Sequence, residues 1–293
     1  GGRQARPAAG LLLAGVALAL TLLADRHVSG TRAAAPAAPL PAAFLPGHKM
    51  RNVSRVVQQA FPGARTGQAV MQRTVEAVRP YGLKQHNTIY GQSVCSDEIN
   101  GDKGHISKLL GRYFGGKVFN LGGIGGAPYV GKTGFGAFSH HVPDDGHVFI
   151  LFGPHIGFTM DGEAGKFLRN GQAALSTACG AVIAAYNQCR QRPSPPDDPR
   201  DTQQAWLRSK LRPYCRSVAA SEDPMVQLVM DAYQAVQEEM LDIVNTGFGS
   251  GNLVLLGGIQ INMPHPMKGH FLPLHFSIRS GHFAARDLME VFD

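Results

Sequence analysis

The chain has 293 residues, 44% hydrophobic and 17% charged, an ordinary globular composition with enough apolar material for one sizeable core. Its formal net charge of +7 is concentrated at the start, where residues 1–50 hold Arg3, Arg6, Arg26, Arg32 and Lys49 against Asp25, leaving only +3 for 51–293. No Lys/Arg run and no basic–aromatic stripe stands out in the body, which excludes a nucleic-acid binder by pattern.

Residues 11–24, LLLAGVALALTLLA, are an unbroken apolar run behind Arg3 and Arg6. The run is short of the roughly 20 residues a membrane span needs and fits the core of a signal peptide. The Ala-, Pro- and Arg-rich stretch that follows, 25–47, has transit-peptide composition. Residues 1–47 therefore read as a bipartite leader to a plastid, the alternative being a signal peptide and spacer on a secreted protein. No later segment is apolar for long enough to span a membrane.

The body, 48–293, reads as one domain. Residues 51–81 form two short amphipathic helices parted by Pro62-Gly63, with Val53, Val56, Val57 and Phe61 at helical spacing. A loop or short strand ends at Cys95. Residues 104–114 are helical, with Ile106, Leu109, Leu110 and Phe114 on one face, and 117–121 are a short strand. The run HVFILFG, 147–153, is a buried strand. Residues 171–190 read as a helix of small side chains, and 191–201 as an exposed proline-rich loop. Residues 224–245 are the clearest amphipathic helix, with Pro224 at its start. Two more strands, 252–263 and 271–280, are placed to be neighbours. Strands interleaved with helices predict an α/β fold with a mostly parallel sheet flanked by helices.

Residues 126–133, GAPYVGKT, match the phosphate-loop pattern G-x-x-x-x-G-K-[ST]. A working loop needs a strand before it and a helix after it. KVFNL supplies the strand. The sequence after Thr133 brings Gly134, Gly136 and Pro143 in quick succession, which predicts no helix. Neither buried strand ends in the Asp that would hold magnesium. The segment thus reads as a glycine-rich connection, with Phe135 expected on the wall of a pocket.

Cys95, His155 and Cys179 each sit at the end of an ordered element, in SVCSDEIN, FGPHIG and TACGA. Two thiolates and an imidazole make a good zinc set, and three protein ligands leave a fourth tetrahedral position open, as catalytic zinc requires. Asp97, two residues past Cys95, would orient a ligand in that position or occupy it. Bland readings stand beside these. Cys179 also suits core packing, His155 suits a hydrogen-bonded core histidine, and His140, His141 and His147 are rival ligands. Four cysteines in a chain of this length favour free thiols or metal ligands over a disulfide framework. Cys189 and Cys215 read as structural or exposed.

Those same segments, with LGGIGGAPYVGKTGFGAFSHHVPDDG, resemble the limiting-CO2-inducible protein B/C family of algae, from about Phe44 to the C-terminus. The resemblance implies a β-carbonic-anhydrase-like (θ-type) α/β domain that dimerises, as a homodimer or a mixed assembly. It implies zinc held by Cys95, His155 and Cys179, Asp97 as the catalytic carboxylate, and interconversion of carbon dioxide and bicarbonate in a plastid carbon-concentrating role. It also implies an Arg about ten residues beyond the Asp to keep that carboxylate off the zinc. Position 107 is Ser107, and Lys108 and Arg112 do not match. An Asp97 without a cation would be free to ligate zinc and close the site, which leaves a catalytically silent bicarbonate-binding or assembly subunit as the alternative. His140 or His141 is the expected proton relay.

Overall fold

The structure, a computed structural model, describes residues 47–245, 247–248, 251–281 and 283–293. The expected leader thus lies outside the described residues except for Gly47, which opens the first helix. Among the described residues no helix is long and apolar enough to cross a membrane.

The two N-terminal helices form as expected: α1 is Gly47–Ala60 and α2 is Gly67–Val78. Between them runs β1, Arg65–Thr66. Thr66 caps α2 by accepting the Ala69 N–H at 3.3 Å. The parallel centre of the sheet is β3 (Phe119–Asn120), β2 (Thr88–Val94), β4 (His147–Gly153) and β8 (Asn252–Asn262), in that order. A short β5, His155–Gly157, continues the pairing with β8 beyond the end of β4. On the far side of β8 the sheet turns antiparallel, with β9 (His270–Ser280) bordered by β1 and by β10, Arg286–Asp287. The reason is the connection: residues 263–269 join β8 to β9, and a parallel crossover needs a dozen residues or more. The expected α/β sheet is therefore parallel at its centre and antiparallel at one margin.

Every residue of β4 is buried, which is why it reads as a continuous apolar run. Its side chains alternate between two cores. Val148, Ile150 and Phe152 pack with Val53 and Val57 of α1 and with Val229, Tyr233 and Val236 of the long helix α8, Pro224–Ile243. Phe149 and Leu151 face the opposite core, with Val70 of α2 and Ile106 and Leu110 of α3, Ile106–Tyr113. Such large buried aliphatic and aromatic side chains contribute roughly 1.5–3 kcal/mol each.

Three expectations fail here. First, a helix follows the phosphate-loop pattern after all: α4, Gly131–Ser139. Phe135 and Phe138 are buried on it, and their burial overrides the weak propensity of its glycines; Phe135 is fully buried in the core. Second, the stretch 171–190 is divided. A small hairpin of β6 (Lys166–Phe167) and β7 (Ser176–Thr177) comes first, and the helix α5 is only Gly180–Arg190. Third, Cys189 and Cys215 are a disulfide, with Cα atoms 6.7 Å apart, so they are not free. Two further helices, α6 (Thr202–Leu211) and α7 (Cys215–Ala220), turn the chain back so that the end of α5 meets the start of α7.

Candidate metal centre

The centre lies where the parallel strands end. Cys95 follows β2 by one residue, and His155 follows β4 by two. Between β4 and β5 the chain makes an interruption that only glycine permits. Gly153 has φ +140°, and a Cβ there would meet the Gly258 oxygen at 1.8 Å. The third residue arrives from the helical side. Gly157 N–H donates to the Ala178 carbonyl at 3.0 Å, which fixes Cys179 beside β5. Cys179 then forms the N-cap of α5. Openings beyond the carboxyl ends of parallel strands are where α/β folds place their sites.

These elements bring the three sequence-predicted ligands together. The ligand atoms of Cys95, His155 and Cys179 lie within 4.8 Å of one another, and all three residues are buried. The two sulfurs are 3.6 Å apart. The imidazole is aimed by its other nitrogen, since Nδ1 lies 2.7 Å from Asn262 Oδ1. An amide oxygen accepts, so Nδ1 carries the proton and Nε2 presents its lone pair to the thiols. That Nε2 is buried and has no hydrogen-bond partner. Leaving such an atom unpaired is costly unless something binds it. A soft donor set with an orphaned imidazole nitrogen fits a zinc-type ion.

The electrostatics of the thiols are unequal. Hydrogen bonding to Cys179 and burial push the Cys95 thiol up. The hydrogen bond from Cys95 holds Cys179 below its ordinary value against the opposing effect of burial, helped by the first amides of α5. The glycine-rich loop contributes too, for Gly125 N–H donates to Cys95 Sγ at 3.3 Å.

Asp97 caps a short 3-10 turn, Glu98–Gly101, accepting the Ile99 N–H at 3.4 Å through Oδ1. Its Oδ2 stands 3.6 Å from His155 Nε2 and 2.6 Å from Arg169 Nη2. Burial raises this carboxyl's pKa, while His155 and Arg169 pull it down. Asp97 therefore does have a cationic partner. It comes from the loop of the β6–β7 hairpin, and the neighbouring cations play no part. Arg112 donates instead to the carbonyls of Lys103 and Lys108, and Ser107 is buried with its hydroxyl on the Asn100 carbonyl.

Asn262 and Arg169 are the residues that sequence reasoning missed. Asn262 had a signal: Gln260 and Asn262 alternate in an otherwise apolar strand, which places two buried polar groups on one face. Both join a network through Asn100, whose Oδ1 accepts from Gln260 Nε2 at 2.6 Å and from Asn262 Nδ2 at 3.1 Å. Asn100 Nδ2 in turn donates to the Cys95 carbonyl at 3.2 Å.

The rival histidines stand apart. His147 opens β4 at the opposite end of the strand, where its Nδ1 accepts the Asn252 N–H at 3.0 Å. His140 caps the C-terminus of α4, and the ring of His141, the next residue, lies 5.9 Å from that of Phe119. In the phosphate-loop pattern several amides bond within the loop, as in Gly126 N–H to the Gly123 carbonyl at 3.2 Å and Gly131 N–H to the Pro128 carbonyl at 3.3 Å. Lys132 pairs on the surface with Asp242 at 3.1 Å.

Residues 64–280 match the family described as limiting CO2-inducible proteins B/C beta carbonic anhydrases. Among solved structures the chain is similar to PtLCIB4, a homolog of the limiting CO2-inducible protein LCIB, at 33% identity and TM-score 0.72, covering 80% of this chain and 98% of that one. The limiting CO2-inducible protein LCIB itself shares the fold at 19% identity and TM-score 0.59, over 78% of this chain and 96% of that one. No curated protein sequence matches the chain.

Proposed function

Because the chain belongs to the limiting CO2-inducible protein B/C family, with its carbonic-anhydrase-like fold, we propose that it is a zinc carbonic anhydrase interconverting carbon dioxide and bicarbonate. The observation that carries this reading is the buried set Cys95, His155 and Cys179, with His155 Nε2 unpaired among them. In this reading those three residues hold zinc, which supplies Lewis acidity that brings the ionisation of water toward neutral pH.

The chain's own residues do the rest. Asn262 holds His155 in the tautomer that leaves Nε2 free. Gly125 N–H and the first amides of α5 stabilise negative charge on the two sulfurs. Asp97, with Oδ2 at the edge of the set, is the group that accepts and orients a proton there. A cavity of about 10 Å³, bordered by Ile156, Ala178, Val182, Ile183 and Leu228, adjoins His155 and Cys179 and has room for about one water-sized molecule.

The wider setting follows the same reading: a leader over 1–47 delivering domain 48–293 to a plastid, and a homodimer or mixed assembly as the working unit. The second reading, a silent subunit of the same fold, rests on Ser107 standing where the resemblance implies Arg; the Arg169 guanidinium beside Asp97 weakens that ground. Zinc stoichiometry measured with stopped-flow carbon dioxide hydration decides. One zinc per chain and a rate above buffer are expected. Bound zinc with no rate would leave the silent subunit, and no zinc would sink the metal centre.

A further inference from the structure

Two cavities share one side chain as a wall, Met225. The inner one is the cavity of about 10 Å³ beside His155 and Cys179. The outer one is a chamber of about 380 Å³. It is walled by Val56 and Ala60 of α1, by the turn 158–164 that follows β5, and by the first residues of α8. Its apolar lining suits an uncharged guest. The charged residues on that lining, Glu163 and Asp223, are both acids and both exposed. Lys49, in the first turn of α1, is already paired with Asp161 at 2.9 Å. Two carboxylates at the entrance repel an anion and leave a neutral molecule unaffected. Neither Asp97 nor Arg169 lines either cavity.

The wall between the cavities has one fixed face and one adaptable face. Gly165 is the fixed one. Its N–H donates to the Gly157 carbonyl at 2.9 Å, and its carbonyl accepts the Ala178 N–H at 3.0 Å, so its backbone is pinned between β5 and the residue before Cys179. Its φ is +79°, and a Cβ there would stand 3.0 Å from Met225 Cγ and 3.1 Å from Sδ. The thioether therefore lies against bare backbone. Met225 belongs to the first turn of α8, at the edge of both the core around β4 and the cluster that holds Cys95 and Cys179. An unbranched side chain with three rotatable bonds adapts more readily than any other residue of that wall.

Resting on the carbonic-anhydrase reading above, we propose that Met225 is the gate through which carbon dioxide passes from the outer chamber into the inner cavity beside His155 and Cys179. With the thioether against Gly165, the inner cavity has room for about one water-sized molecule. Turning the side chain away joins it to the chamber, a rotamer change that needs no backbone movement. The chamber gathers an uncharged gas, its two carboxylates turn anions back, and Met225 sets the size of what goes through. Met225 is a specificity-determining residue and touches no reacting atom. The charged product is left to depart on the side of Asp97 and Arg169.

The test uses the full chain as isolated, its zinc content measured, with dissolved oxygen under pressure as the uncharged gas probe. Oxygen is paramagnetic and quickens the relaxation of the methyl groups it meets. Methyls of Val56, Ala60 and Val226 report the chamber, and those of Val182, Ile183 and Leu228 report the inner cavity. In wild type both sets are expected to respond. Met225→Phe, larger and stiffer, is expected to keep the chamber's response and lose most of the inner one. Met225→Ala is expected to enlarge the inner response. Ala60→Phe fills the chamber from α1 and is expected to lose both, which keeps the test decisive should Met225→Phe fail to fold. In stopped-flow hydration, Met225→Phe should raise KM for carbon dioxide several-fold with kcat and inhibition by azide unchanged, whereas a general packing defect would move all three. An inner response as large in Met225→Phe and Ala60→Phe as in wild type overturns the inference, and so does an inner set that never responds in wild type. A chain with no zinc or no hydration rate that still shows the oxygen pattern loses the carbonic-anhydrase reading and keeps the gate.

Discussion

Helix α5 carries a cysteine at each end, and the two ends have become different chemistry. At the N-cap, Cys179 faces another free thiol 3.6 Å away, an imidazole and a carboxylate close by. In the last turn, Cys189 is cross-linked to Cys215, in surroundings that include Ala185, Leu211 and Val218. Strand β4 repeats the contrast with histidine. His147 at its start accepts a backbone amide, while His155 past its end presents an unpaired nitrogen. Residue type decides little in either pair. What differs is which end of the parallel sheet the residue occupies, and whether its polar atoms are already satisfied there.

Swapping the two ends of α5 should give the largest separation of effects. Cys179→Ser is expected to abolish bound zinc while leaving the disulfide intact. Cys189→Ala is expected to keep one zinc per chain and to lose about 3 kcal/mol of stability, the loss typical of opening a loop of this length. Metal analysis and urea unfolding of both variants check this. If Cys189→Ala also loses its zinc, the two ends are one cooperative unit and the contrast fails.

Much of this organisation is legible in the sequence, for stated reasons. HVFILFG reads as a strand because every one of its residues is buried, so no polar position interrupts it. Cys95, His155 and Cys179 stand out because a soft ligand at the end of an ordered element is chemically conspicuous. Arg169 does not, because it sits in an irregular loop and meets Asp97 across 72 residues of sequence. No periodicity encodes that meeting; it exists only once the β6–β7 hairpin folds over the strand ends. The disulfide escapes in the same way, since its cysteines are 26 residues apart and the intervening α6 has a weak apolar stripe. Helix α4 is hidden by its glycines, whose poor propensity is outweighed by burial of Phe135 and Phe138.

A smaller effect is expected at the residue that aims His155. Asn262→Ala removes the acceptor at Nδ1 and frees the ring to turn or to change tautomer. Zinc affinity should fall roughly 10- to 100-fold, with stoichiometry still reached at saturating zinc. Asn262→Asp keeps an acceptor and should retain most of the affinity. Competition with a chromophoric chelator measures both, and equal losses in the two variants would make Asn262 a packing residue.

The smallest effect tests the other histidine. Burial holds the His147 imidazole below its ordinary pKa, against an opposing hydrogen bond to Gly82. The native state therefore takes up a proton at lower pH than the unfolded chain does. Between the two values the unfolded state binds more protons, so stability rises with pH. The contribution is complete above the ordinary imidazole value near 6.5 and is lost as pH falls through the native one. One such group changes the unfolding free energy by at most about 1.4 kcal/mol per pH unit. His105, His270 and His275 are shifted the same way by burial, so the measurement must be a difference between proteins. Urea unfolding of wild type and His147→Gln between about pH 5 and 8 should show a shallower dependence in the variant, with zinc content unchanged. A variant that keeps the full slope would place the acid sensitivity in the other three histidines. One that loses zinc would mean that the two ends of β4 are not independent.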